Sequence, residues 1–274
     1  MLWLSLLLGC GETITLDMKL KDGQRVTLTD RVQNTVRSID RGVILEGLRL
    51  RVNRDVTAAG VVGEQEVGWV ERVQQVRVER AVGGQELVWD SALGGRPPEE
   101  LGGALDLKSR VRDVRIGADR SVLIKQASAD ALAAGADPSM IATWDDPGHL
   151  DVVDIGLMHA PDGEVRVGQS WETEYLAITQ FEGKAYESRL DTVWRVDRID
   201  GNVIQMTQTS VLDKHAIPTE FGWVVSAARG RGTLVFNREV GLPTEYNEQV
   251  TYTMNSVDTE IDQMVTLNRF YSVD

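Results

Sequence analysis

The chain has a single cysteine, Cys10, and its neighbours prepare it for acylation chemistry. Leu2 to Leu8 form an apolar run broken only by Ser5, and Leu7-Leu8-Gly9-Cys10 follows the lipobox pattern of apolar residues, a small residue and then Cys. On that pattern the thiol is alkylated with diacylglycerol, the leader is cut before the cysteine, and the new amino group is acylated. Several acyl chains on one residue anchor stably where one is marginal, because each buried CH₂ contributes about 0.8 kcal/mol. The apolar run is near the lower limit for a signal peptide and far too short to span a bilayer as a helix. One feature departs from the pattern. No Lys or Arg precedes the run, so either the true start lies upstream or the α-amino group supplies the only positive charge. A lone cysteine also forms no intramolecular disulfide, although the compartment would permit one.

Other residue types that do chemistry are present without the spacing that chemistry needs. The histidines are His149, His159 and His215, and none sits in an HExxH or HxH spacing. With Cys10 committed to lipid, a Cys/His zinc site is excluded, and there is no Asp-x-Asp-x-Asp-Gly calcium loop. His149, Asp151 and Asp154 lie close in sequence. Acids near a helix N-terminus, favoured by the macrodipole, account for them better than a site does. A serine hydrolase wants Gly-x-Ser-x-Gly. Ser170 follows Gly168-Gln169, but Trp171-Glu172 come next and the alternation makes it a strand residue. Gly230-Arg231-Gly232 lacks the third glycine and the βαβ setting of a dinucleotide loop, so a turn or bulge explains it. The pairs Glu64/Glu66 and Glu99/Glu100 lie in loops. No catalytic residue, cofactor or metal is expected, and an enzyme is the least favoured class.

Composition narrows the partners. The chain has 274 residues, 26% of them charged, with a net charge of −13. Such a surface repels nucleic acid, and no Lys/Arg-rich run offsets it. No later segment has the roughly 20 consecutive apolar residues of a membrane helix. Trp is prominent, at seven residues; most Trp is expected in core packing, with ligand contact as the other use of such rings.

The elements that must position these residues are strands. From Thr13, Ile14, Leu16, Met18 and Leu20 alternate with polar residues, which is the period of a half-buried strand. Asp22-Gly23 is a turn signal, and Val26 and Leu28 resume the alternation. Residues 35–39, 43–52, 67–82 and 86–89 read the same way, with turns at Arg41-Gly42 and Gly83-Gly84. The charges in Leu48-Arg49-Leu50-Arg51 and Val76-Arg77-Val78-Glu79 mark the wet face of antiparallel strands. Residues 93–103 form a loop rich in Gly and Pro, and a hairpin follows around 117–119. Residues 127–158 are the one helical region, with Asp137-Pro138 and Asp146-Pro147 as helix-start signals. A second β-rich block begins at Glu164 and runs to the end.

This gives four segments: a signal peptide over 1–9, an N-terminal β subdomain over 10–126, a helical connector over 127–163, and a C-terminal β subdomain over 164–274. The expected fold is mainly β: two consecutive antiparallel, curved sheets or half-barrels joined by a short helical segment. A weak internal repeat supports two related halves. Gly23-Gln24 resembles Gly168-Gln169, and residues 35–41 (TVRSIDR) resemble residues 192–198 (TVWRVDR), at different offsets.

Several pieces in order carry a family resemblance. They are Cys10, the Gly23-Gln24 strand, Trp89-Asp90-Ser91 before a Pro-rich loop, the Val165–Trp171 strand entry, and Gly230-Arg231-Gly232-Thr233 leading to Phe236–Pro243. The chain resembles an uncharacterised family of bacterial lipoproteins, a domain of unknown function. The resemblance implies two consecutive antiparallel sheets and a place in the cell envelope, and brings no activity. By resemblance to enterobacterial sorting signals, Gly11 after the cysteine, rather than Asp, favours the outer membrane.

The functional expectation is a lipid-anchored envelope protein holding a lipid or other apolar ligand in a concave sheet, with Trp171, Tyr175 and Trp194 against it. The alternative is a structural or assembly lipoprotein docking on another envelope protein. A large apolar cavity would favour the first, and a filled core with a free sheet edge or exposed apolar patch the second.

Overall fold

The structure is a computed structural model. It describes residues 13–16, 21–62, 66–101, 108, 110–116, 122–128, 163–181, 184–212, 223–256 and 258–273. The strands are β1 (Thr13–Thr15), β2 (Arg25–Ser38), β3 (Ile44–Val62), β4 (Glu66–Val82), β5 (Gln85–Asp90), β6 (Arg110–Ile116), β7 (Val122–Ser128), β8 (Glu164–Arg166), β9 (Ser170–Phe181), β10 (Lys184–Asp200), β11 (Val203–Leu212), β12 (Val224–Asn237), β13 (Leu242–Asn255) and β14 (Glu260–Val273). Short 3₁₀ turns follow β5 at Ser91–Leu93 and Glu99–Leu101. The Asp90 carboxylate caps the first of these by accepting the Ala92 N–H at 2.9 Å.

The mainly β class expected from the alternation is what the chain adopts, but the division into two sheets is not. One 12-stranded antiparallel sheet runs β7-β6-β4-β3-β2-β14-β13-β12-β11-β10-β9, with β5 also paired to β4, and β1 and β8 form a separate ribbon. The two β-rich blocks meet where β14 pairs β2, from Ile261 opposite Ser38 to Val273 opposite Val26. The reason is physical. Left as edges, β2 and β14 would each present a long row of unpaired N–H and C=O groups beside an apolar face, and pairing them removes both edges at once. The helical connector expected over 127–163 falls outside the described residues, except that Ala127 and Ser128 end β7 and Gly163 bends into β8.

One face of the sheet is inward along the strands whose side chains are described. On β2 the inward residues are Val26, Leu28, Asp30, Val36 and Ser38; on β11 they are Ile204, Met206, Gln208 and Ser210. On β4 the inward parity changes from Trp69 and Glu71 to Val76 and Val78, because a bulge at Gln74 adds one residue against β3. Arg49, Arg51 and Arg77 point outward to solvent, as the alternation requires. Ile14, Leu16 and Val165 of the ribbon share one apolar cluster with Val26, Leu28 and Val56 of the N-terminal block. The same cluster takes in Val196, Ile204, Met206, Leu234 and Phe236 of the C-terminal block. Each such side chain contributes about 1.5–3 kcal/mol when fully buried.

The Gly-Gln repeat marks one turn built twice. Gly23 and Gly168 both have positive φ, +73° and +83°. In the first turn the Gln24 side chain accepts the Lys21 N–H at 2.9 Å; in the second the Gln169 side chain accepts the Arg166 N–H at 3.2 Å. Gly23 N–H donates to Ala58 O on β3 at 2.8 Å, and Gly168 N–H donates to Val196 O on β10 at the same distance. The order ribbon strand, Gly-Gln turn, long strand, next strand therefore recurs, with β1, β2 and β3 corresponding to β8, β9 and β10. The second sequence match does not align with it. Residues 35–41 end β2 and turn, whereas residues 192–198 lie inside β10.

Buried charges fasten the join between blocks. Arg269 on β14 stands opposite Asp30 on β2, with Nε 2.5 Å from Oδ1. Arg54 on β3 reaches the other Asp30 oxygen at 2.8 Å and Glu71 Oε2 on β4 at 3.7 Å, and the Trp69 indole donates to Glu71 Oε1 at 3.0 Å. These four charged side chains are 4% exposed or less. Burial opposes the charge on Arg269, but the neighbouring Asp30 and Tyr271 together more than offset it, so its pKa lies above the ordinary arginine value. Burial likewise pushes the Tyr271 phenol up. Removing one member strands an uncompensated charge. Arg269→Met is expected to lower unfolding free energy by about 3–5 kcal/mol in urea titrations. Replacing all four ions together with apolar residues of similar volume is expected to cost less than that single change.

Candidate functional site

The inner face can be followed strand by strand along one transverse row. Trp171 on β9 stands opposite Trp194 on β10, which stands opposite Gln208 on β11, then Gly232 on β12 and Glu248 on β13. The row continues through Leu267 on β14, Val32 on β2, Leu50 on β3 and Val78 on β4 to Trp89 on β5. Apolar residues fill its N-terminal part, while its C-terminal part is aromatic and polar.

The two tryptophans singled out from sequence come together. Trp171 and Trp194 stack with ring centroids 6.5 Å apart and planes 12° from parallel. Trp194 also stacks on Tyr246 of β13, at 6.4 Å. Trp194 is buried and Trp171 half-buried. The third candidate, Tyr175, lies opposite Leu190, four residues further along β9, and its side chain is outside the described residues. Cys10, His149, His159 and His215 also lie outside them. Among the described residues no group of three or more His, Cys, Asp or Glu is arranged to hold a metal ion.

Beside the aromatic rings lies a polar network the local pattern did not single out. Gln208 is saturated: its Oε1 accepts the Tyr246 hydroxyl at 2.9 Å, and its Nε2 donates to Glu248 Oε1 at 2.9 Å and to Ser210 Oγ at 3.0 Å. Ser210 shares a further hydrogen bond of 2.9 Å with Thr192. All but Tyr246 are polar residues 6% exposed or less, and buried polar groups persist only when paired in this way. Burial and the nearby Glu248 carboxylate push the Tyr252 phenol up. The alternation did contain the signal. Gln208 shares its parity with Ile204 and Met206, Glu248 with Tyr246 and Val250, and Asp30 with Val26 and Leu28.

Glycine at two inward positions of β12 lets this network lie flat on the strand. A Cβ at Gly232 would meet the Asn247 carbonyl oxygen at 2.9 Å and Gln208 Oε1 at 3.1 Å; at Gly230 it would meet Ser210 Cβ at 3.1 Å. Backbone cannot yield as a side chain can. Gly232→Ala is therefore expected to destabilise the protein by about 1–3 kcal/mol in chemical denaturation, and Gly230→Ala by less.

No family model matches the chain. No curated protein sequence matches it either. Among solved structures the fold is similar to lipovitellin, solved for its lipid–protein interactions, with a TM-score of 0.54 and 8% identity over 93% of this chain. The match takes in 26% of that chain, so this protein spans about a quarter of lipovitellin's length. Weaker likenesses are the translocator domain of the autotransporter NalP from Neisseria meningitidis and OccK5 from Pseudomonas aeruginosa. The first has a TM-score of 0.32 at 8% identity, covering 92% of this chain and 89% of that one. The second has a TM-score of 0.25 at 9% identity, covering 94% and 99%. At these identities what is shared with lipovitellin is a fold: a large antiparallel β-sheet architecture.

Proposed function

We propose that the chain is a lipid-anchored protein of the bacterial cell envelope, held in the outer membrane through Cys10, that binds a lipid or other apolar ligand on the inner face of its sheet. One observation carries the reading. A single long antiparallel sheet, open at β7 and β9 among the described residues, turns an apolar and aromatic face inward, in a fold similar to part of a protein known for its lipid–protein interactions. Concave apolar faces with a few fixed polar groups are the usual setting for such ligands. The Trp171–Trp194–Tyr246 stack supplies broad, rigid apolar area, and the Gln208 network keeps its floor fixed. The family resemblance to envelope lipoproteins and the lipobox at Cys10 support the anchor and the location.

A second reading, docking on another envelope protein, draws on different residues. Val43, Ile44 and Val82 are apolar and exposed at one end of the sheet, Ile44 at 67%. Such a patch suits a protein contact.

Two measurements test the proposal. A soluble form beginning at Gly11, made in a bacterial periplasm, is expected to carry a stoichiometric lipid or apolar adduct in native mass spectrometry. A clean apo mass, with no thermal shift on adding lipids, would favour the docking reading. For the anchor, full-length protein is expected to partition into the detergent-rich phase and to incorporate labelled palmitate, and Cys10→Ser is expected to do neither.

A further inference from the structure

We infer that the tip of the β2–β3 hairpin docks on a lipid surface of zwitterionic headgroups by inserting Val43 and Ile44; this rests on the lipid-binding reading above and names where the ligand enters. Ile39, Val43, Ile44, Leu45 and Val82 gather at one end of the sheet, each between 36% and 67% exposed. The turn that carries them is pinned by its own backbone. Ser38 N–H donates to Val43 O at 3.0 Å, and Gly42 N–H donates to Ser38 O at 2.9 Å. Ile44 pairs Arg37 across the hairpin, Leu45 is the extra residue of a bulge, and Glu46 pairs Val82 at the end of β4. Ile44, beside the turn, is the most exposed of the five.

The tip adjoins the apolar inner face. At the far end of β2 that face is covered by Ile14, Leu16 and Val165, which pack with Val26, Leu28, Ile204 and Phe236. At the tip end an inner cluster of Val36, Val225, Met254 and Ile261 runs up to Ser38, which stands opposite Ile261. The next residue, Ile39, donates its N–H to Glu260 O at 3.1 Å and is already exposed. Inner face and tip are therefore one residue apart along the chain. β2 has 14 residues, so the two ends lie roughly 45 Å apart.

Area and charge select the occupant. Five aliphatic residues at these exposures present a few hundred Å² of apolar surface. That is short of the roughly 800 Å² per partner of a stable protein interface. A bilayer sets no such threshold, because each inserted side chain adds its own transfer free energy. Residues 37–46 carry Arg37 and Arg41 against Asp40 and Glu46, so the hairpin tip is neutral on a chain of net charge −13. Glu46 is engaged by Arg80 at 2.9 Å. Arg37 folds over the turn, its guanidinium 3.7 Å from the place of a Cβ on Gly42. Arginine stems lie along apolar surface while the heads stay among polar groups, here the headgroup phosphates. Asp258 and Glu260 on the adjoining β13–β14 turn oppose a strongly anionic surface, so a zwitterionic one fits.

The test uses the full chain carrying Cys10→Ser, so that an introduced cysteine is the only thiol. Ile44→Cys at the tip, or Asp22→Cys at the far end of β2, is labelled with a polarity-sensitive nitrobenzoxadiazole dye and mixed with phosphatidylcholine vesicles. The label at position 44 is expected to shift to the blue and brighten severalfold, and the label at position 22 to stay unchanged. Adding Val43→Asp to the Ile44→Cys chain is expected to weaken vesicle binding about tenfold or more without lowering the melting temperature, because a carboxylate replaces an inserted aliphatic group. A silent label at 44, an equal response at 22 and 44, or a response that requires phosphatidylglycerol overturns the inference. The two readings fail separately. A lipid adduct in native mass spectrometry with a silent label at 44 removes this inference alone. A responsive label with no adduct removes the lipid-binding reading and leaves the membrane contact in place.

Discussion

The pairing of β2 with β14 is the constraint on which the rest of the structure depends. It joins residues more than 200 positions apart, and the buried Arg269–Asp30 contact spans a separation of 239. All neighbouring pairs in the large sheet are antiparallel, this one included; of the others all but β4 with β6 follow directly in sequence, so they can form as local hairpins. Only this pairing turns two meanders into one surface. Loop-closure entropy must be met before such a contact yields any stabilisation, so the sheet completes when the last strand docks.

The ionic cluster at that join is more a device of register than of stability. Two arginines and two acids taken from water lose most of what they gain from each other. Their placement across four adjacent strands nevertheless fixes which inward residue faces which. A slip of one residue would turn Asp30 and Arg269 to solvent and bring polar outward residues into the core. Apolar residues alone would tolerate a two-residue slip far better than this cluster does.

The repeated Gly-Gln turn sets an order that the sheet uses once as a closed join and once as an open edge. At the closed join, inward positions are filled by valine, leucine and paired ions. Near the open edge they carry two stacked tryptophans, a saturated glutamine and glycines that make room for it. In the proposed lipid-binding role, that aromatic area would supply contact at little conformational cost beside a fixed polar floor.

Local pattern made much of this legible. Period-two alternation placed the strands, the Asp-Gly and Gly-Gly signals placed the turns, and charges at Arg49, Arg51 and Arg77 identified the outer face. The same alternation contained Asp30, Gln208, Glu248 and Arg269 as inward residues, yet a polar residue on an apolar parity cannot be told from a bulge until its partners are known. The bulge at Gln74 is such a case, since it reverses parity within β4. The sequence by itself determined a β-rich chain, one face wet and one dry. The tertiary structure decided that the two blocks form one sheet, that Trp171 and Trp194 stack, and that the acids and arginines neutralise each other. Backbone hydrogen-bonding groups are identical along every strand, so the choice of partner is made by side-chain register and edge burial, which exist only in the assembled sheet.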